Sequence, residues 1–394
     1  MLHTKKIFFL LFLLTFSILS QEKHTISGTV YDESKNETLI GVSIYFPELN
    51  SGITTNEYGF YSITLPEGTY QIQVNYLGYS PIIESIDLKE KRTKNFKLEE
   101  AAERLDEIVI ESNIEKINVR TTQMSVNKLR SATIKQIPVV LGEADIIKSL
   151  ILLPGVTSAG EGASGFNVRG GAADQNLILL DEAIVFNSSH LFGFFSVFNP
   201  DVIKDVKLYK GGIPAKYGGR LSSVLDIYQK EGNSKEFNAT GGIGLVSSRL
   251  LIEGPLQKEK ISFLIGGRSS YAHLFLPLFD NDNKAYFYDL NTKINFRVNE
   301  KNSIFFSGYF GKDVFGVSDN FVNTYGNKVA NLRWNHLFSD KLFSNLSLIY
   351  SDYFYGLILD FVGFEWDSGI TNYNIKYDFK HYVSNTFKLS YGVN

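Results

Sequence analysis

The 394-residue chain contains no cysteine. Disulfides, thiol nucleophiles and cysteine-ligated metals are therefore excluded together. The absence does not argue against export, because a large folded core needs no disulfide. A basic excess is also missing, since 39 lysines and arginines face 42 aspartates and glutamates and no long basic run occurs. We therefore expect no nucleic-acid partner.

Patterns for enzymatic chemistry are also missing. None of the six histidines, at positions 3, 24, 190, 273, 336 and 381, starts an H-x-x-E zinc pattern, and no Ser/His/Asp arrangement has an informative spacing. The oxygen-rich run 280–283 lacks the glycine and the distal glutamate of a calcium loop, so a solvated turn is expected there. We predict a protein that is not an enzyme and has no cofactor and no metal.

The N-terminus has the pattern of a signal peptide. Lys5 and Lys6 precede the apolar run 7–19, and the small residue Ser20 follows it. A helical anchor would need about 20 apolar residues to span a bilayer, and this run is shorter. We predict a signal peptide over 1–20 with cleavage after Ser20, and the absence of cysteine at that point excludes a lipoprotein.

Residues 24–98 show short apolar-alternating segments divided by turn residues. The predicted strands are 25–30, 41–46, 59–65, 70–76 and 81–88. Their lengths and regular spacing favour a small antiparallel β-sandwich.

Residues 137–230 are rich in glycine, with 11 glycines among the 65 positions from 155 to 219. Glycine permits positive φ and close approach of backbones. Three elements are predicted: a helix over 144–153, which ends at Pro154, and strands over 177–180 and 202–208. The second strand is expected to place four side chains on one face: Val202, Lys204, Val206 and Leu208. The result is a small mixed α/β unit.

One motif in this unit is misleading. Residues 160–165 fit G-x-G-x-x-G, and Asp181 lies near the position of a ribose-binding acid. A dinucleotide site requires a strand before the motif and a helix after it. Here a helix precedes the motif and a strand-like segment follows, so the nucleotide interpretation is rejected.

The unit contains three motifs, with the residues Asn167, Arg169, Gly170, Gly171, Asp181, Gly211, Gly212, Tyr217, Gly218, Gly219 and Arg220. These motifs resemble the plug domain of TonB-dependent outer-membrane receptors, which closes a transmembrane β-barrel from inside. The segment 24–98 resembles the carboxypeptidase-like regulatory domain that precedes many such receptors in Bacteroidetes. Its matching residues include Gly28, Gly41, Gly59, Gly68 and Gly78.

The resemblance implies a function for part of the linker 99–136. Its six-residue apolar run consists of Leu105, Asp106, Glu107, Ile108, Val109 and Ile110. In the family this looks like the TonB box, to which a periplasmic TonB domain adds a strand. The alternative is an ordinary strand of the sandwich or plug, because short apolar runs are ambiguous.

From 235 to 394 the chain alternates apolar and polar residues and becomes aromatic, with 31 of the 55 aromatic residues between 260 and 394. Leu290 and Ile294 are expected on one face, and Asn291 and Lys293 on the other. This pattern predicts a transmembrane β-barrel with its apolar face toward lipid, and a soluble antiparallel sheet is the alternative. About eight to ten strands fit, whereas plugged transporters use about 22. We therefore expect an incomplete barrel, from a truncated product, a gene fragment or the N-terminal half of a receptor.

The predicted fold is mainly β: an N-terminal sandwich, an α/β plug and the first part of an antiparallel barrel. The resemblance implies an outer-membrane receptor that imports an unidentified ligand. Its implied partners are TonB, outer-membrane lipid and, as a candidate, a surface lipoprotein. The alternative is a truncated or non-transporting binding or signalling protein.

Two predictions concern the inside of the barrel. The plug loop 186–198 is a candidate ligand contact through Phe186, Ser188, Ser189 and His190, and packing against the wall is its alternative. Barrel arginines are expected to hold the plug loosely through exposed ion pairs with plug acids, worth about 0–1 kcal/mol each. The arginines are Arg268, Arg297 and Arg333, and the acids are Asp174, Asp181 and Glu182.

Overall fold

The computed structural model describes residues 22–101, 125–137, 143–160, 165–271, 273–274, 283–317 and 320–394. The predicted signal peptide and TonB box, and residues 280–282, lie outside the described residues. The rest forms a sandwich, a plug and one large sheet, so the predicted mainly β fold is confirmed. Within these ranges, no helix is long and apolar enough to cross a membrane.

Two four-stranded sheets form the sandwich. The strands are β1 (Lys23–Asp32), β2 (Ser43–Phe46), β3 (Ser51–Thr54), β4 (Phe60–Pro66), β5 (Gly68–Asn75), β6 (Ile82–Leu88), β7 (Arg92–Thr93) and β8 (Phe96–Leu98). One sheet contains β4, β1 and β7, with β8 also paired to β1, and the other has the order β3-β2-β5-β6. Ile26, Ile44 and Ile72 are fully buried between the sheets.

All five predicted sandwich strands are confirmed, but the purely antiparallel arrangement is wrong. β7 and β8 run parallel to β1, because the chain crosses from β6 in the second sheet back to the first. Alternation of side chains reports which face a residue occupies and carries no information about strand direction.

The plug is built on a five-stranded sheet of order β13-β12-β17-β16-β9. Its strands are β9 (Val126–Arg130), β10 (Val156–Ser158), β11 (Phe166–Val168), β12 (Asn176–Leu180), β13 (Ala183–Ile184), β14 (Ser189–His190), β15 (Phe195–Ser196), β16 (Ile203–Tyr209) and β17 (Ser223–Gln229), and its helices are α1 (Ser131–Lys135) and α2 (Ile146–Ile151). The Asp145 side chain accepts a hydrogen bond from Lys148 N at the start of α2. An N-terminal cap of this kind satisfies a backbone donor that the helix leaves free.

The predicted face of β16 is wrong in its first half. The register with β17 shifts between Ile203 and Asp205, so Lys204 is an additional residue in the strand. A bulge reverses the alternation, which places Ile203 with Val206 and Leu208 in the plug core. Val202 packs instead against barrel residues.

Nine antiparallel strands form the large sheet, in sequence order. They are β18 (Asn238–Ile243), β19 (Ser247–Gln257), β20 (Ile261–Ser270), β21 (Lys284–Asn299), β22 (Asn302–Val317), β23 (Phe321–Ser339), β24 (Leu342–Leu359), β25 (Phe364–Tyr382) and β26 (Lys388–Val393). Strands β21 to β25 have 16 to 19 residues, longer than the roughly ten that cross a bilayer. The paired strands therefore extend beyond the hydrocarbon core of the membrane, because they are longer than the length needed to cross it.

The two faces of this sheet are as predicted. Leu290, Ile294 and Leu332 are exposed, whereas Asn291 and Lys293 on the alternate positions are buried. An apolar outer face and a polar inner face are typical of an outer-membrane barrel. The plug lies against the polar face.

The connections between strands alternate between the two ends of the sheet. The short-turn end has the connections 258–260, 300–301, 340–341 and 383–387. The opposite end, called the long-loop end, contains 244–246 and 360–363 and the longest interval between two strands, 271–283. In outer-membrane barrels the longer loops face outward, so this interval marks the end that we expect to face outward.

Candidate functional site

The first part of the plug motif forms a tight turn after β11. Arg169 and Gly170 have φ of 50° and 81°, and Arg169 N donates to Gly155 O. A Cβ on Gly171 would lie 2.4 Å from Ser222 Oγ, so only glycine fits there. Asn167 pairs with Thr157 across the β10–β11 ladder. The motif thus brings the β10–β11 hairpin onto the segment before β17.

The second part of the motif meets the first. A Cβ on Gly211 would lie 2.9 Å from Arg169 Nη1, and Arg169 Nη2 donates to Ser125 Oγ at 3.0 Å. Gly212 and Gly219 have positive φ, while Gly218 has open space around it.

The last two side chains of the motif, Tyr217 and Arg220, differ in their contacts. Tyr217 Oη donates to Asp226 Oδ2 at 2.6 Å, and this bond ties the loop to β17. Arg220 is exposed and donates to Gly219 O. Within the motif, the hydrogen bond of Arg220 is therefore to its neighbour Gly219, and its side chain stays at the surface.

The turn between β12 and β13 seats the plug on the barrel wall. Asp181 Oδ2 lies 2.9 Å from Lys293 Nζ, and Asp181 O accepts from Asn331 Nδ2. Glu182 accepts from Asn345 Nδ2 at 3.0 Å, and also from Ser347 Oγ. These groups are all buried.

The charge on Glu182 is supported by the wall. Burial raises the pKa of the carboxyl, but the Lys376 and Arg333 cations and the Ser347 hydroxyl outweigh burial, so the pKa lies below its usual value. Glu182 is therefore a buried carboxylate held by barrel residues.

Arg268 makes a second seat from the barrel side. Its guanidinium is buried and contacts Glu143 Oε1, Asp289 Oδ2 at 2.6 Å and Ser196 O at 2.8 Å. Glu143 and Ser196 belong to the plug, and Asp289 belongs to β21. One side chain thus links two parts of the plug to the wall.

The predicted ion pairs are confirmed only in part. Arg333 favours the charge on Glu182, as predicted, and it also stacks on Tyr58 and Phe305. Arg268 pairs instead with Glu143, and Arg297 stacks on Tyr31. Arg268 and Arg333 are buried, whereas exposed pairs were predicted. Asp174 is exposed. Sequence alternation predicts which face of the sheet a barrel residue occupies, but not its position along the barrel axis. It therefore could not predict which plug acid each arginine would meet.

The loop predicted to contact ligand faces the wall. Phe186 N and Asn187 N donate to Asn327 Oδ1 at 3.2 Å. Ser188, Ser189 and His190 are buried. This burial corresponds to the alternative, which was packing against the wall.

His190 is held between two barrel carboxylates. Nδ1 lies 2.6 Å from Asp313 Oδ2, Nε2 lies 3.1 Å from Asp289 Oδ2, and the ring stacks on Phe287. Burial lowers the pKa of the imidazole, but Asp313 and Asp289 outweigh it and raise the pKa above its ordinary value. The structure gives this histidine the role of an anchor for the loop.

Sequence reasoning missed a cavity of about 290 Å³ on the plug. It lies between α2, β10 and the loop after β14, and its lining includes Asp145, Lys148, Ser158, Phe192, Phe194 and Ser196. Phe194 is 59% exposed and Phe192 41% exposed. The only signal in the sequence was the aromatic content of the loop 186–198, which does not distinguish exposed rings from buried ones.

One group of metal-binding residue types exists in the described part of the chain. Ligand atoms of Glu22, His24 and Glu67 lie within 4.8 Å of one another at the start of the sandwich. Both glutamates are exposed, and exposed carboxylates often gather without an ion, so the group gives no reason to assign a metal.

Two family profiles match the chain. That of the CarboxypepD_reg-like domain matches residues 26–110, and that of the TonB-dependent Receptor Plug Domain matches residues 118–223. The first match includes the predicted TonB box.

A curated protein is similar to part of the chain. TonB-dependent receptor P3 of Formosa agariphila is 26% identical over 243 residues, which cover 59% of this chain and 23% of the relative. The chain therefore spans about a quarter of that curated relative.

Solved structures show the same fold. The alcaligin outer membrane receptor FauA of Bordetella pertussis has a TM-score of 0.52 at 13% identity, with 68% of this chain and 45% of that chain covered. The siderophore receptor PirA of Pseudomonas aeruginosa has a TM-score of 0.50 at 17% identity, with 66% and 45% covered.

A plug domain packed on the polar face of a consecutive antiparallel sheet defines the class of plugged outer-membrane β-barrel proteins. The two profile matches identify a CarboxypepD_reg-like domain followed by a TonB-dependent receptor plug domain, and the curated relative shows that the chain is similar to a TonB-dependent receptor. Its localisation is the outer membrane.

Proposed function

We propose that this chain acts in the uptake of an unidentified ligand across the outer membrane, with energy supplied by TonB through residues 105–110. The observation that carries the proposal is the seating of the plug. Buried hydrogen bonds and ion pairs connect it to the polar face of β20 to β25. In a complete barrel, a plug held in this way must move before a solute can pass.

The position of the proposed TonB box supports the energy coupling. Residues 105–110 lie between the end of the sandwich and β9. β9 is the edge strand of the plug sheet and pairs with β16 alone in that sheet. A force on the segment before β9 therefore acts first on an edge strand of the plug sheet.

The cavity on the plug is the proposed ligand contact. Phe192 and Phe194 offer aromatic surface, and Asp145 and Lys148 offer one charge of each sign. Pockets that combine apolar walls with a few polar groups are typical ligand sites. We propose that Ser188, Ser189 and His190 position this loop through their contacts on the side that faces the barrel wall.

Two further partners are proposed, outer-membrane lipid and a surface lipoprotein. The exposed apolar face of β21 to β24 is proposed to contact outer-membrane lipid, and a surface lipoprotein is a candidate at the long-loop end. We propose no catalytic step, since displacement of the plug uses energy from TonB.

Strand addition by TonB can be tested with Ile108→Pro in the purified full chain. Proline removes a backbone donor that an added strand would use. We expect binding of the periplasmic TonB domain, measured by titration calorimetry, to weaken at least about tenfold, since 1.4 kcal/mol corresponds to that factor.

Ile114→Pro is the matched control, because it places the same change in the same linker outside the box. The control should bind as the unsubstituted chain does. Equal binding by the Ile108→Pro variant would refute the box assignment. Failure of the unsubstituted chain to bind TonB would favour the non-transporting alternative.

A further inference from the structure

A rigid turn projects from the sandwich between β3 and β4. Asn56 Oδ1 accepts hydrogen bonds from Tyr58 N at 2.9 Å and Phe60 N at 3.0 Å, and Gly59 has φ of 77°. The side chain of Asn56 thus fixes its own turn. Glu57 and Tyr58 occupy the tip.

Glu57 connects the plug to the barrel wall. Its carboxylate pairs with Lys216 of the plug at 3.0 Å and with Lys380 of β25. Burial raises the pKa of this carboxyl, but Lys216 and Lys380 together outweigh burial and hold the pKa well below its usual value. The sandwich thus supplies the anion that lets a plug lysine and a wall lysine lie side by side, both partly buried.

Tyr58 makes a second connection. Its hydroxyl donates to Glu182 Oε1 of the plug at 2.6 Å, and its ring stacks on Phe343 of β24 at 5.1 Å. The guanidinium of Arg333 on β23 lies 4.9 Å from the same ring. Glu182 is the residue that also accepts from the barrel wall, so Tyr58 completes its hydrogen bonds.

Aromatic packing closes the surrounding surface at the short-turn end. Phe60 stacks on Phe343 at 5.8 Å and meets Tyr382 edge-on at 5.9 Å. Phe343 and Tyr382 belong to the barrel, yet they are buried in the same cluster as the sandwich core.

A second loop of the sandwich holds the chain between plug and barrel. Asn36 Nδ2 donates to Ser234 Oγ at 3.1 Å, and Glu37 Oε1 accepts from the backbone N–H groups of Glu231 and Gly232. Ser234 is buried by this contact. The sandwich is therefore attached to the mouth of the barrel at two separate places.

We propose that Asn56–Tyr58 is an intramolecular latch, which binds in the short-turn end of the barrel and locks Lys216 and Glu182 of the plug to the wall. Any movement of either residue away from β24 or β25 must first break the contacts of Glu57 or Tyr58. Release of the sandwich from the barrel therefore precedes displacement of the plug. The latch goes beyond the proposed function and does not depend on the ligand or on TonB.

The path of the chain supports this order. Arg130, at the end of β9, contacts Leu77 O and stacks on Tyr76 of the sandwich at 4.0 Å. Residue 101 of the sandwich and Ser125 before β9 are the described residues on either side of the segment 102–124. A partner that pulls on this segment would therefore act on both the sandwich and the plug.

The absence of cysteine permits a clean test in the full chain. A Ser234→Cys reporter, buried beneath the second loop, is labelled with a maleimide in detergent micelles, alone and combined with Glu57→Gln and Tyr58→Phe. The two latch substitutions remove the carboxylate charge and one hydroxyl and keep both side-chain shapes. We expect labelling to be at least about tenfold faster in the combined variant, as a loss of 1.4 kcal/mol of docking would give.

The matched control carries Glu48→Gln and Tyr45→Phe with the same reporter. Their hydrogen bonds, to Gln71 N and Asn50 Oδ1, stay within the sandwich. The control should label within twofold of the reporter alone. Unchanged labelling in the latch variant, or equal acceleration in the control, would overturn the proposal.

A second reporter, Val74→Cys in the fully buried sandwich core, separates release from unfolding. We expect it to remain protected in the latch variant. Labelling of both reporters at the same accelerated rate would also overturn the latch, because the substitutions would then act on the sandwich fold and not on its docking.

Discussion

The barrel wall contacts the plug and the sandwich through interfaces of different chemistry. Toward the plug, the contacts are buried charges and amides, represented by Arg268, Lys293 and His190. Toward the sandwich, at the short-turn end, the wall adds stacked rings, represented by Phe343 on Phe60. The wall–plug interface is polar, whereas the wall–sandwich interface combines the Glu57 ion pair with aromatic packing.

The two interfaces differ because only the barrel interior is exposed to water when the plug moves. A barrel interior faces water whenever its plug moves, so its side chains must be polar, and the plug surface must match them. A buried ion pair adds little net stability, because desolvation offsets attraction, but loss of one partner is costly. Aromatic contacts bury apolar surface and are independent of charge. The wall therefore provides specificity, and the rings provide stability that does not vary with pH.

The largest effect is expected from breaking the wall interface at Arg268. Arg268→Met leaves Glu143 and Asp289 buried without their cation, which costs about 3–5 kcal/mol. Urea unfolding in micelles, followed by the fluorescence of Trp334 and Trp366, measures the change. Arg220→Met alters an exposed arginine and should stay within about 0.5 kcal/mol. If both variants lost a similar amount of unfolding free energy, Arg268 would not be the residue that holds the plug to the wall.

The aromatic interface should respond next. Phe343→Ala removes a ring that packs on Tyr58 and Phe60, and we expect a loss of about 3 kcal/mol in the same assay. The loss should be equal at pH 6 and pH 8, because no charge is removed. Phe361→Ala, at the exposed long-loop end, is the control and should have little effect. A pH-dependent loss at Phe343 would contradict the contrast between the two interfaces.

The smallest effect concerns His190 and its pH dependence. Because its pKa is raised in the folded protein, its stabilisation is fully present below about pH 6.5, the unfolded value, and is lost as pH rises through the folded value. His190→Gln should lower stability by about 1–2 kcal/mol at low pH and by less at high pH. Urea midpoints from pH 5 to pH 9 test this.

His336→Gln provides the comparison for His190, since that imidazole contacts Asn302 at the short-turn end and not the plug. The same pH-dependent difference in both variants would show that the wall carboxylates are not its cause.

Sequence pattern predicted the faces of the barrel strands well, as at Leu290 and Asn291, because burial on a pleated sheet follows a two-residue period. It failed at β16, where one additional residue at Lys204 reverses the period. It also failed for ion pairs such as Arg268 with Glu143, since the partners are 125 positions apart. The predicted ligand contact of loop 186–198 stays a prediction, because aromatic content does not reveal which rings face the wall.

Local chemistry alone thus determined the class of this protein. Alternation, glycine placement and the plug motif are properties of short segments, and each segment carries them independently of its neighbours. Tertiary structure alone decided what holds the plug. Glu57 in the sandwich, Lys216 in the plug and Lys380 in the barrel are each an ordinary charged residue in the sequence. They become one site only because three separately patterned units pack around the same point, where low solvent access makes their charges interdependent.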